Sequence, residues 1–144
     1  MIKIILLSHG PLCEGMLKTL QMIAGPQKDI YTLQLHSGES PEEYQKKLEK
    51  ILTQDKKGNL IFCDLKGGTP YNTAAYLKNK YDLKLITGMN LPILISVITS
   101  RENNSKIDDL VDIALDKSNF GIELINLNNE GEKKHAKLSL NQNR

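Results

Sequence analysis

Two stretches of the chain, Ile4-Ile5-Leu6-Leu7 and Leu60-Ile61-Phe62-Cys63, contain no polar side chain at all. A strand with one wet face alternates apolar and polar residues, so an unbroken apolar run of this length fits a parallel strand covered on both faces. Helices must provide that cover, and helical stripes lie between the runs. Met16, Leu17, Leu20, Ile23 and Ala24 recur at helical spacing within residues 13–24, and Gly25-Pro26 stops the pattern. Ser40-Pro41-Glu42-Glu43 opens a second helix with an S-x-x-E capping box and a proline suited to the first turn, followed by a stripe of Tyr44, Leu48, Ile51 and Leu52. Further helices are expected over residues 71–80 and 93–100, and one framed by Ser105 and Asp108 that runs through Asp116. Strands are expected at 29–35 and 83–87, with a last one at 121–127.

This alternation predicts an α/β fold: one doubly wound, mostly parallel sheet with helices on both faces. Short connections and right-handed crossovers give the strand order 2-1-3-4, with the last strand antiparallel at an edge. A chain of 144 residues is the size of one domain. We assign residues 1–127 to that domain and 128–144 to a polar tail with little to bury.

Composition removes several function classes. No apolar stretch approaches the ~20 residues of a membrane-spanning helix, and Ser8-His9-Gly10 interrupts the N-terminal apolar run before it matches a signal peptide. A cytoplasmic protein is therefore expected. The formal net charge is only +2 and the lysines are scattered, so nucleic acid is not an expected partner. Cys13 and Cys63 form no C-x-x-C, and His36 and His135 fall in segments not expected to reach His9, so neither a metal site nor a cofactor is expected.

In a sheet wound 2-1-3-4 the winding reverses between strands one and three, and ligand crevices open there at the carboxyl ends of the strands. His9 and Asp64 stand at those two ends. A carboxylate that accepts the proton of one ring nitrogen fixes the imidazole tautomer and leaves the other nitrogen's lone pair facing outward, ready to act as base, metal ligand or nucleophile. The loop Gly67-Gly68-Thr69-Pro70 then opens a helix, where close backbone approach, a hydroxyl and the helix N-terminus make a phosphate-sized cradle. An imidazole nucleophile facing an anion cradle suggests phosphoryl transfer through phosphohistidine. The chain has neither a P-loop nor a G-x-G-x-x-G. Ser8 is unsuited to a Ser–His hydrolase pair, because adjacent strand residues point to opposite faces and G-x-S-x-G is missing. Two alternatives stay open on the residues alone: a regulatory module that senses phosphate in the same pocket, and a receiver-like domain phosphorylated on Asp64.

Three motifs in order resemble the enzyme IIA component of the mannose/fructose/sorbose family of the sugar phosphotransferase system. They are Ser8-His9-Gly10, the stretch Asp64-Leu65-Lys66-Gly67-Gly68-Thr69-Pro70-Tyr71-Asn72, and Thr87-Gly88-Met89-Asn90-Leu91-Pro92-Ile93-Leu94. The resemblance implies that His9 takes a phosphoryl group from the carrier protein HPr and passes it to a histidine of enzyme IIB, serving sugar uptake through an IIC/IID membrane permease. It implies that Asp64 orients the ring, that Gly67, Gly68 and Thr69 hold the phosphoryl group, and that Asn90 borders the site. It also implies a homodimer in which the segment 121–127 takes part, and an IIB on a separate chain. Lys66 departs from the family pattern, where that position is usually apolar or aromatic; the cation alters the partner surface and leaves His9 chemistry untouched.

Overall fold

The computed structural model describes residues 1–127, so the tail assigned to 128–144 lies outside the described residues. Four strands, β1 (Lys3–His9), β2 (Ile30–Leu35), β3 (Asn59–Cys63) and β4 (Leu83–Ile86), alternate with α1 (Leu12–Ala24), α2 (Pro41–Ile51), α3 (Gly68–Leu77), α4 (Leu91–Ser100) and α5 (Ile107–Leu115). The sheet order is β2-β1-β3-β4 and every pairing is parallel, as the sequence predicts.

The apolar runs divide by parity. Ile4, Leu6, Leu60 and Phe62 face one core, completed by Cys13 and Leu20 of α1, Leu94 and Val97 of α4, and Leu110 and Ala114 of α5. Ile5, Leu7, Ile61 and Cys63 face the other, completed by Tyr44 and Leu48 of α2 and by Ala74 and Leu77 of α3. Each such aliphatic side chain, fully removed from water, contributes about 1.5–3 kcal/mol, so β1 and β3 anchor both layers at once. At the amino end of the sheet the buried Arg101 guanidinium donates to the carbonyls of Ile2, Asp29 and Lys28, which joins the exit of α4 to the starts of β1 and β2.

Helix starts follow their caps. Ser40 Oγ accepts the Glu43 N–H at 3.1 Å, as the capping box predicts. The third helix begins at Gly68 rather than at residue 71, because Pro70 needs no hydrogen-bonded N–H in a first turn. The fourth begins at Leu91 because Asn90 Oδ1 accepts the Ile93 N–H at 3.0 Å.

One element requires correction. The expected antiparallel edge strand at 121–127 is absent: after a single 3-10 turn at Lys117–Asn119 the segment pairs with none of the four strands. Its side chains stand in solvent, with Ile122 89% and Leu124 94% exposed. Gly121, at φ +74°, lies so close to Pro92 that a Cβ there would clash with the ring. An apolar pattern marks what a segment can pair with, but a strand forms only by pairing, and this segment is paired with neither edge strand, β2 or β4.

Candidate active site

The register of the sheet builds the site. Pairing of β1 with β3 stops at Leu7 and Cys63, while pairing with β2 continues to His9 and Leu35. His9 therefore overhangs the end of β3, and Asp64 turns beneath it with its N–H on the Leu7 carbonyl at 3.1 Å. Two residues 55 positions apart in sequence meet there: Asp64 Oδ2 accepts both the His9 backbone N–H at 2.9 Å and the His9 ring at Nδ1, 2.8 Å. Asp64 Oδ1 accepts the Leu65 N–H at 2.9 Å.

Burial of Asp64 opposes its ionisation, but the His9 N–H, the His9 ring and the Leu65 N–H outweigh it and hold the carboxyl below its ordinary value. The ionised carboxylate is an acceptor, so the proton of the neutral imidazole resides on Nδ1 and Nε2 carries the free lone pair. The orienter is largely covered and the imidazole open, with side-chain exposures of 10% for Asp64 and 45% for His9.

The free nitrogen faces α3. A Cβ added to Gly68 would stand 2.7 Å from His9 Nε2, and Gly68 has φ +83°, so glycine is required there both by space and by backbone. Gly67 is the N-cap of α3 and supplies no side chain to it, and Gly68 and Thr69 are its first two residues. The N-terminus of a ten-residue helix, without a side-chain cap, is thus set against the nucleophilic nitrogen. Of the three loop residues expected to hold an anion, Gly68 stands directly against the His9 ring, and Gly67 and Thr69 are its chain neighbours at the start of α3.

On the other side of His9, toward β2, opens a cleft of about 440 Å³. Its walls are His9, Gly10 and Pro11 on one side and residues 34–39 on the other. Glu39 fixes the second wall: it pairs with Lys47 at 2.5 Å and accepts the His36 N–H at 3.1 Å. Lys47 and that N–H hold its carboxyl below the usual range. The segment of His36, expected not to reach His9, thus lines the same cleft as His9, because the loop after β2 folds back at the sheet's carboxyl end; the Ser-Gly-Glu-Ser run before α2 was the available signal.

The side chain of Asn90, expected at the border of the site, is engaged in capping. Its Oδ1 caps α4 and its Nδ2 donates to Gly88 O at 3.4 Å. The loop that carries it is tied to the end of β3 by the Met89 N–H on Cys63 O at 3.0 Å. Among the described residues, no group of three or more His, Cys, Asp or Glu side chains converges to hold a metal ion. No described helix is long and apolar enough to cross a membrane.

Comparison with known proteins adds an independent line. A family model described as the fructose IIA component of the phosphotransferase system (PTS) matches residues 3–115. The mannose-specific EIIAB component of the PTS from Escherichia coli K12 is 30% identical over 129 residues, covering 86% of this chain and 39% of the relative. The chain therefore spans well under half the length of that protein. The fructose-specific EIIA component of Bacillus subtilis 168 is 30% identical over 106 residues, covering 72% of this chain and 73% of the relative. Among solved structures, the EIIA component from Streptococcus agalactiae superposes with a TM-score of 0.78 at 35% identity, covering 86% of this chain and 97% of that one. A mannose/sorbose-specific IIA subunit from Enterococcus faecalis gives 0.78 at 31% identity, with 89% and 97% covered.

Proposed function

The chain belongs to the mannose/fructose/sorbose-type IIA family of the sugar phosphotransferase system, and on that premise we propose that it is a phosphocarrier whose acceptor is Nε2 of His9. The observation that carries the reading is the two-sided setting of one imidazole: Nδ1 held by Asp64 at 2.8 Å and Nε2 facing Gly68 at the start of α3. The Nε2 lone pair attacks phosphorus, the bond from phosphorus to the donor imidazole of phospho-HPr breaks, and that electron pair returns to the donor ring. His9 becomes a phosphorylated imidazolium that keeps its Nδ1 proton, and the Asp64 carboxylate stabilises the positive charge so formed. Reversal of the same step toward a histidine of enzyme IIB discharges the group.

The helix N-terminus favours the bound dianion by up to ~2 kcal/mol in a partly buried setting, beyond the charge-assisted hydrogen bonds it offers. Such modest stabilisation suits a carrier, which must release what it accepts. Asp64 itself is a poor phosphoryl acceptor, since both of its oxygens accept hydrogen bonds and its side chain is mostly covered.

We assign the exposed apolar segment 121–127 to contact with a second copy of the chain, which accounts for a strand-like sequence that finds no edge of its own. The setting is the cytoplasmic side of an IIC/IID permease. The names of the relatives cover mannose, fructose and sorbose, and nothing at His9 contacts sugar in this reading.

Incubation with radiolabelled phospho-HPr tests the assignment. The expected product carries acid-labile, base-stable label that is discharged on adding IIB. Hydroxylamine-sensitive label would place the acceptor on Asp64, and label that never moves on to any IIB would mark a sensor.

A further inference from the structure

The parity of β1 sends Ser8 away from His9, into the layer beneath α1, where its side chain is fully buried. A buried hydroxyl without partners is costly, and this one has both a donor and an acceptor role filled. Ser8 Oγ donates to the Gly10 carbonyl at 2.8 Å and accepts the Cys13 N–H at 2.8 Å. Cys13 is the second residue of α1, the position whose N–H an N-cap side chain ordinarily takes. The residue at the N-cap is Pro11, which makes no such bond, so Ser8 caps the helix from within the preceding strand.

The two bonds therefore close the chain on itself around His9, from the residue before it to Gly10 and Cys13 after it. A third restraint ties the same turn to β2, with the Gly10 N–H on Leu35 O at 2.9 Å. The His9 backbone N–H itself is taken by Asp64 Oδ2. We propose that Ser8 is a positioning residue for His9: its hydroxyl fixes the 9–12 turn so that Nδ1 meets Asp64 while Nε2 faces Gly68. This rests on the reading of His9 as phosphoryl acceptor only for its effect on rate; the effect on the ring stands apart from it.

With the hydroxyl removed, the turn loses both bonds while the strand keeps its ladder and its two cores. The ring is then free to rotate off the carboxylate, and misplacement by about 1 Å is worth up to about a hundredfold in rate. The test is Ser8→Ala, followed by nitrogen NMR of the His9 ring and by the rate of label uptake from phospho-HPr. Ile98→Val, in the core at the far end of α4, serves as a destabilised control.

Wild type is expected to show a single tautomer protonated at Nδ1. Ser8→Ala is expected to show averaged tautomers and uptake slowed by about tenfold or more, and Ile98→Val the wild-type spectrum and rate. A wild-type ring spectrum in Ser8→Ala overturns the proposal, as does an equal change in Ile98→Val. If Ser8→Ala does not fold, Ser8→Cys, a weaker donor and acceptor of similar shape, is read by the same two measurements: a shifted tautomer balance supports the role and an unchanged one ends it. Failure of wild type to take up label would instead remove the carrier reading, while the ring spectra would still decide the role of Ser8.

Discussion

At the residue scale the account depends on one carboxylate and one glycine. Asp64→Asn keeps the size of the side chain but weakens the acceptor that sets the tautomer, so uptake of label should slow by about 10–100-fold with the fold intact, as for other outer-shell partners of a working imidazole. Uptake kinetics together with circular dichroism check both halves of that expectation. The same residue gives a pH signature. Its folded pKa is depressed below the ordinary 3.8, so its contribution to stability is complete above that value and is lost as pH falls through the lowered folded one. Urea denaturation between about pH 5 and about pH 2 should therefore show a shallower acid loss in Asp64→Asn than in wild type. Gly68→Ala places a methyl against Nε2 in a backbone conformation that alanine resists. Uptake should fall by more than about tenfold while His9 remains opposite Asp64, checked by rate and by the ring spectrum. Residue chemistry was the most legible layer of the sequence. His9, Asp64 and the Gly67-Gly68-Thr69 loop are each announced by an abrupt change from apolar run to polar or breaker residue. Ser8 was legible only as a negative, because the partners that give a buried hydroxyl its role, Gly10 O and Cys13 N–H, are backbone atoms that no sequence pattern displays.

At the element scale, caps decide where helices begin and so where their N-termini point. The side chain of Asn90 caps the first turn of α4, a role that the motif alone does not display. Asn90→Ala should lower unfolding free energy by about 1 kcal/mol and Asn90→Asp by much less, measured by urea titration, the ordinary difference between lost and retained caps. Uptake of label in Asn90→Ala should stay close to wild type. The strands β1 to β4 were legible because β1 and β3 are apolar on both faces, which only a central strand tolerates. The cleft beside β2 was not, since its wall is a loop held by the Glu39–Lys47 pair, and no periodicity encodes that contact.

At the scale of the whole molecule, the sheet order 2-1-3-4 follows from handedness and short connections, and it brings the ends of β1 and β3 together as the switch point requires. The fifth strand failed because the same sequence rule takes no account of whether an edge is available to the segment. Exposure of Ile122, Leu124 and Ile125 is the physical reason to expect a second copy. Wild type is expected to sediment as a dimer at micromolar concentration and the double variant Ile122→Asp, Leu124→Asp as a monomer, with uptake by His9 retained.

Comparing wild type with His9→Ala in the presence of radiolabelled phospho-HPr decides whether one imidazole carries the phosphoryl group. His9 lies at an exposed strand end outside both cores, so the variant should fold as wild type does. Acid-labile label is expected on wild type and none on His9→Ala; acid-labile label retained by folded His9→Ala would show that the phosphoryl group is carried elsewhere.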